Sequence, residues 1–166
     1  QKLPSILGDD QIEKLRRGCK TARETALLLT MLDTGVRVAE VTRLNWRDID
    51  LETGRVMIYM GKQRKDRVAQ TRKALLKWRI RSPHTAPESP VFVSEHGGAR
   101  LTVVGLQQVL RRLGQRVEVH VTPHMLRRSF ATRSLRAGMD IYPLAAVMGH
   151  ASIDTLKHYL RIEEAD

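Results

Sequence analysis

The stretch TARETALLLTMLDTGVRVAEVTRL, residues 21–44, decides the architecture. Its first part reads as a strongly apolar helix of the kind that is buried in a core. Gly35 is placed to end that helix, because glycine takes the left-handed conformation of a helix C-terminus at little cost. A second helix starts almost at once, with Val38, Val41 and Leu44 at helical spacing. Arg37 therefore falls at a helix–helix junction, where the incoming helix presents unpaired, partially positive amides. An arginine there suits an anion. Taken alone, a surface arginine paired with Glu40 is the simpler reading.

Upstream, LPSILGDDQIEKLRRGC reads as an extended lead and a short helix, with Asp9 or Asp10 as its cap and Ile12 and Leu15 facing inward. Downstream, IDLETGRVMIYM changes period and reads as two short strands joined at Thr53-Gly54. The charged loop GKQRKDRVAQ follows and returns as a third strand near residues 67–69. TRKALLKWRI is a helix with Ala74, Leu75 and Trp78 on its apolar side, and SPHTAPESP is a proline-rich loop. VFVSEHGGAR is a short strand and turn, and TVVGLQQVLRRLG is a helix ending at Gly114. The segment from Thr122 is a further helix, with Thr122 as N-cap, Pro123 at its first position and Gly138 as its stop. Two short helices close the chain, the second capped by Ser152. The expected fold class is α+β, mostly helical, with a small three-stranded antiparallel sheet. There is no internal repeat and no glycine-rich loop of the nucleotide-binding kinds.

The chain has 166 residues, one domain's worth, and 42% are apolar, so a folded unit is expected. Aromatics make up only 4%, so aliphatic residues must fill most of the core. The net charge is +11, which points to a polyanion, most simply nucleic acid. The stacking aromatics of a single-strand or RNA binder are scarce, so duplex DNA gripped through its phosphates is the better match. The lone Cys19 permits no internal disulfide, and no Cys/His cluster has zinc spacing. A reducing, cytoplasmic setting follows as the expectation, with no metal, no cofactor and no membrane partner. The longest apolar run, ALLLTML, is far too short to span a bilayer.

In TPHMLRRSFATR, residues 122–133, His124 and Arg127 are three apart and share a helix face. Lys62 follows Gly61 at a hairpin tip, His150 follows Gly149, and Tyr159 lies nine residues further on. Each of these has a simpler reading on its own: a solvated basic face, a solubilising lysine, a structural histidine, a partly buried tyrosine. Their order along the chain is another matter. TGVRVAE, GKQRKDR, HMLR, MGH and HYL, in that succession, resemble the tyrosine recombinase (phage integrase) family, over essentially the whole chain from LPSIL to Tyr159. Such a family member from bacteria, archaea or a phage would be a DNA-breaking and rejoining enzyme.

The resemblance implies one catalytic domain over residues 1–166, without the N-terminal domain by which full members clamp DNA. It implies that Arg37 and Arg127 hold the scissile phosphate and that Lys62 protonates the leaving 5′-oxygen. His124 and His150 would assist the phosphate, Tyr159 would be the nucleophile, and Glu40 would steady the first arginine. Arg43, Arg64, Lys65, Arg67, Arg100 and Arg128 are further candidates for contacts with DNA. Assembly as a tetramer on duplex DNA is implied for the full-length protein. The pattern departs from the family at Gln63, Ala69, Arg128, Leu156 and Arg161, where glycine, proline, histidine, threonine and histidine are common. The chemistry is consistent with these residue types. Guanidinium forks match phosphate oxygens with bidentate, charge-assisted bonds. A phenol with a pKa of about 10 needs such cations, and a base, to become a nucleophile at neutral pH. A type IB topoisomerase shares this chemistry, and a non-catalytic DNA-binding regulator would share the charge alone.

Overall fold

Every residue from 26 to 34 is buried in the computed structural model, so the helix that carries them is enclosed on all sides. The structure describes residues 6–57, 65–96, 98–148, 154 and 156–158. In chain order the elements are α1 (Asp9–Gly18), α2 (Ala22–Thr34), α3 (Val38–Arg43), β1 (Ile49–Asp50), β2 (Arg55–Val56), α4 (Lys65–Arg81), α5 (Val103–Val117), α6 (Pro123–Arg136) and α7 (Ile141–Val147). The enclosed helix is α2, which packs against α4 and α6. Helix α5 packs on α1 and α3, and α7 packs on α6. Residues 154 and 156–158 are helical as well.

Local chemistry explains the helix starts. Thr21 caps α2 by accepting from the Glu24 N–H at 3.1 Å, and Thr122 caps α6 by accepting from the Met125 N–H at 3.2 Å. The cap of α1 is Gly8 rather than either aspartate: the Gln11 side chain accepts from the Gly8 N–H at 2.9 Å. Asp9 and Asp10 stand instead in the first turn, where the helix dipole favours negative charge.

The apolar side chains form two clusters. The larger runs from Leu7 through α2, α4 and α5 to Leu126. The smaller gathers Phe130, Ala131 and Leu135 of α6 with Leu144, Met148 and Leu156. Helix α6 contributes to both, so it joins the main body to the C-terminal elements. Gly35 lies against Phe130 of the smaller cluster. It sits at φ 66°, the left-handed region, and a Cβ built there would overlap the Phe130 ring. Glycine is required at this position twice over, by conformation and by contact.

The sheet has two described strands, paired antiparallel with Ile49 opposite Val56 and Asp50 opposite Arg55. The Asp50 carboxylate shapes the turn by accepting from the Glu52 and Thr53 N–H groups at 3.0 and 3.3 Å. The Thr53 bonds, ahead of that from Glu52, hold its carboxyl below the usual value. The third strand expected near residues 67–69 is helix, because those residues belong to α4. Alanine, glutamine, lysine, arginine and leucine dominate that stretch, and their helix preference extends the element towards its N-terminus. Packing on α2 reinforces it, with the Thr71 hydroxyl donating to the buried Asp33 carboxylate at 2.8 Å. The short strand expected at 91–93 is reduced to single bridges, Asn45 with Pro90 and Val93 with Arg100.

Helix α5 does not stop at Gly114 but runs to Val117, and Glu118 closes it at φ 59°. Gly114 serves the return of the chain: a Cβ there would overlap the Val119 carbonyl oxygen. The far end of α5 is tied down by Arg116, whose guanidinium meets the buried Glu24 carboxylate at 3.0 Å. The loop before α5 is pinned by Arg100. It donates to the Thr42 and Leu44 carbonyls at 2.9 and 3.2 Å and also to the Asn45 side chain.

Gly35→Ala is expected to cost about 3 kcal/mol, from overpacking and the left-handed backbone, and thus to lower Tm by roughly 6–12 °C in a scan. Arg100→Ala should cost about 1.5–3 kcal/mol in urea unfolding, because charged hydrogen bonds are lost and carbonyls stranded. Arg43→Ala, at an exposed site on α3, should stay within about 0.5 kcal/mol of the parent.

Candidate functional site

The link between α2 and α3 turns at Gly35 and delivers Arg37 to the N-cap position of α3. There the backbone is extended, and the Arg37 N–H donates to the Glu40 carboxylate at 2.9 Å. Glu40 thus steadies Arg37 through its main chain. Among the described residues no hydrogen bond or ion pair engages the half-buried Arg37 guanidinium, so the surface pairing with Glu40 is not what occupies it.

Helix α6 begins at Pro123, so His124 lies in its first turn and Arg127 one turn on, along the same face. That face borders a cleft of about 910 Å³. One wall is the junction at residues 36–39 with Arg37, another is α5, and the third is residues 118–124 with Arg127. Arg37, His124 and Arg127 therefore converge from regions 87 to 90 residues apart along the chain (124 − 37 and 127 − 37). Of the fully charged side chains lining the cleft, Arg37, Arg111 and Arg127 are cationic and Glu118 is anionic. The balance is positive, and the N-termini of α3 and α6 both open into it. Such a cleft favours an anion with several oxygens.

The Arg127 guanidinium is held in place by backbone. It donates through Nη1 to the Gly35 carbonyl and through Nη2 to the Met148 carbonyl at 2.6 Å. The first of these carbonyls is two residues from Arg37, so the bond ties Arg127 to the junction that carries Arg37.

The other sequence-level candidates divide clearly. Lys62, Arg64, His150 and Tyr159 lie outside the described residues, as does Ser152. Lys65 and Arg67 have helical backbone at the start of α4. Arg43 is exposed at the end of α3, and Arg128 is half-buried on α6 away from the cleft lining. The Arg100 guanidinium is engaged by Thr42, Leu44 and Asn45, which gives it a structural task. Sequence reasoning passed over Gln107, Arg111, Gln115 and His120, all on the cleft wall. The first three are four residues apart on α5, a polar stripe indistinguishable in sequence from the solvated side of any amphipathic helix. Among the described residues no group of three or more His, Cys, Asp or Glu side chains could hold a metal ion. No described helix is long and apolar enough to cross a membrane.

Comparison with known proteins agrees with this geometry. The chain is 34% identical over 174 residues to the tyrosine recombinase XerC of Xanthomonas axonopodis, covering 98% of this chain and 56% of that protein. It is 31% identical over 166 residues to the tyrosine recombinase XerA of Pyrococcus horikoshii, covering 98% and 58%. The chain thus spans little more than half the length of these relatives. Among solved structures, a XerA recombinase crystal structure superposes with a TM-score of 0.80 at 30% identity, over 96% of this chain and 59% of that one. The XerH site-specific recombinase bound to its difH substrate, before cleavage, superposes with a TM-score of 0.74 at 28% identity, over 99% and 53%. Residues 5–165 match the phage integrase family as a whole, and with HMLR and TGVRVAE brought to one cleft, the chain belongs to that family, the tyrosine recombinases.

Proposed function

We propose that this chain is the catalytic domain of a site-specific DNA recombinase, which cuts and rejoins strands through a covalent 3′-phosphotyrosyl intermediate. The observation that carries the reading is the convergence of Arg37, His124 and Arg127 on one positive cleft. The phosphate of duplex DNA is the anion assigned to it. Arg37 and Arg127 bind the non-bridging oxygens, where negative charge grows as the phosphorus becomes five-coordinate. The Tyr159 hydroxyl attacks the phosphorus, its proton passing to a neutral histidine, His124 or His150. The bond to the 5′-oxygen breaks as Lys62 supplies the proton to that oxygen. Rejoining is the reverse: a 5′-hydroxyl attacks the phosphotyrosyl bond and the tyrosine leaves. Bond energy is conserved through the covalent link, so no nucleotide triphosphate is consumed. Arginines supply the charge neutralisation, so the reaction as assigned needs no metal and no cofactor.

Arg43, Arg64, Lys65, Arg67 and Arg128 are assigned to the surrounding DNA backbone. A net charge of +11 supports a grip that does not depend on base sequence. Complete strand exchange, by four protomers on paired sites in the cytoplasm, is assigned to the full-length protein.

The test is a nicked half-site duplex, from which the cleaved fragment diffuses away and traps the adduct. After denaturation the chain should carry DNA covalently, Tyr159→Phe should carry none, and Arg37→Ala should form adduct about 10²–10³-fold more slowly. Binding of uncleaved duplex by Tyr159→Phe should weaken by about 0.9 log units per log unit of salt for each phosphate contacted. An adduct that persists in Tyr159→Phe overturns the assignment. Relaxation of supercoiled DNA without a paired site would move it to a topoisomerase.

A further inference from the structure

The proposed chemistry gives Arg127 one partner, the phosphate. The structure shows carbonyl partners, which are of a different kind. Nη1 donates to the carbonyl of Gly35, the residue that ends α2, and Nη2 donates to the carbonyl of Met148, the residue that ends α7. Both acceptors are therefore helix C-termini, where carbonyls lack intrahelical donors and the dipole leaves negative charge. A cation is favoured at each. A planar guanidinium with its donors in a fixed fork can serve two carbonyls at once, which the compact ammonium of lysine does less well.

The two carbonyls belong to different parts of the molecule. Gly35 lies between Thr34 and Val36, both buried in the main body, while Met148 belongs to the smaller apolar cluster. Each is also two residues along the chain from a residue assigned to the reaction: Gly35 from Arg37, Met148 from His150. We propose that Arg127 is a positioning residue as well as a phosphate ligand, a strut that sets the α7 terminus against the α2–α3 junction before DNA arrives. The phosphate role rests on the function proposed above, but the strut does not. A guanidinium carries five N–H donors, so carbonyls and phosphate oxygens can share it. The carbonyl bonds also orient the fork, so that phosphate meets a preorganised group and not a long flexible side chain.

The strut is tested on the DNA-free chain by amide hydrogen exchange, so the result does not depend on whether a tyrosyl adduct ever forms. In Arg127→Ala, exchange at residues 144–148 and 35–41 should rise about tenfold or more, the effect of losing a charged hydrogen bond at each end. Arg127→Lys keeps the charge without the fork and should show the same rise. Arg37→Ala should leave residues 144–148 at the parent rate. Unchanged exchange in both Arg127 variants overturns the proposal, as does an equal rise in Arg37→Ala. Loss of protection throughout α1 and α5 in both Arg127 variants also overturns it, because the residue would then hold the whole fold and not two helix ends.

Discussion

Gly35 is held from two sides by one face of α6. The Phe130 ring fills the space that a side chain on Gly35 would need, and one turn earlier Arg127 takes the Gly35 carbonyl. Apolar contact and charged hydrogen bond thus act on the same residue through side chains three apart on a helix. Between them they fix where α2 ends and how α3 leaves it. That exit places Arg37, and the register of α6 places His124 and Arg127 opposite. The cleft is a consequence of this one docking, with α5 supplying the remaining wall.

Buried polar groups accompany this docking. Asp33, Thr34, Thr71, Ser129 and Thr132 are buried where α2, α4 and α6 meet. The Thr71 hydroxyl donates to the Asp33 carboxylate, and the Ser129 hydroxyl donates to the Met125 carbonyl at 2.7 Å. Such bonds add little net stability compared with apolar packing, but leaving one unmade is costly. The Thr71–Asp33 bond joins α4 to α2 and so favours the register of those two helices in which its partners meet. Rigid placement of this kind suits a site whose proposed work is electrostatic, since donors that need not reorganise stabilise developing charge best.

Much of the fold and part of the site were legible before any coordinates. The cap at Thr122, the stop at Gly35 and the turn at residues 51–54 follow from backbone chemistry that acts within a few residues. Two expectations gave way, the strand at residues 67–69 and the helix end at Gly114, and the engagement of Arg100 had no local signal. Residues 67–69 joined α4, whose helix formers lie against α2. Gly114 marks a close approach of the returning chain and not a helix end. The Arg100 guanidinium, one more surface cation in the sequence, is engaged by three acceptors more than fifty residues away.

The sequence by itself determined the helical character of the chain, its positive charge and the order of its motifs, because periodicity, ionisation and residue spacing are properties of the polymer. It also placed His124 and Arg127 on one face, since that needs only the pitch of a helix. Only the tertiary structure decided that Arg37 would share a cleft with them, and that Arg111 and His120 would line it. It alone showed Arg127 engaged by carbonyls of two helices. Those outcomes depend on which faces pack together, and packing is settled by the joint burial of side chains far apart in the chain, which no local pattern contains.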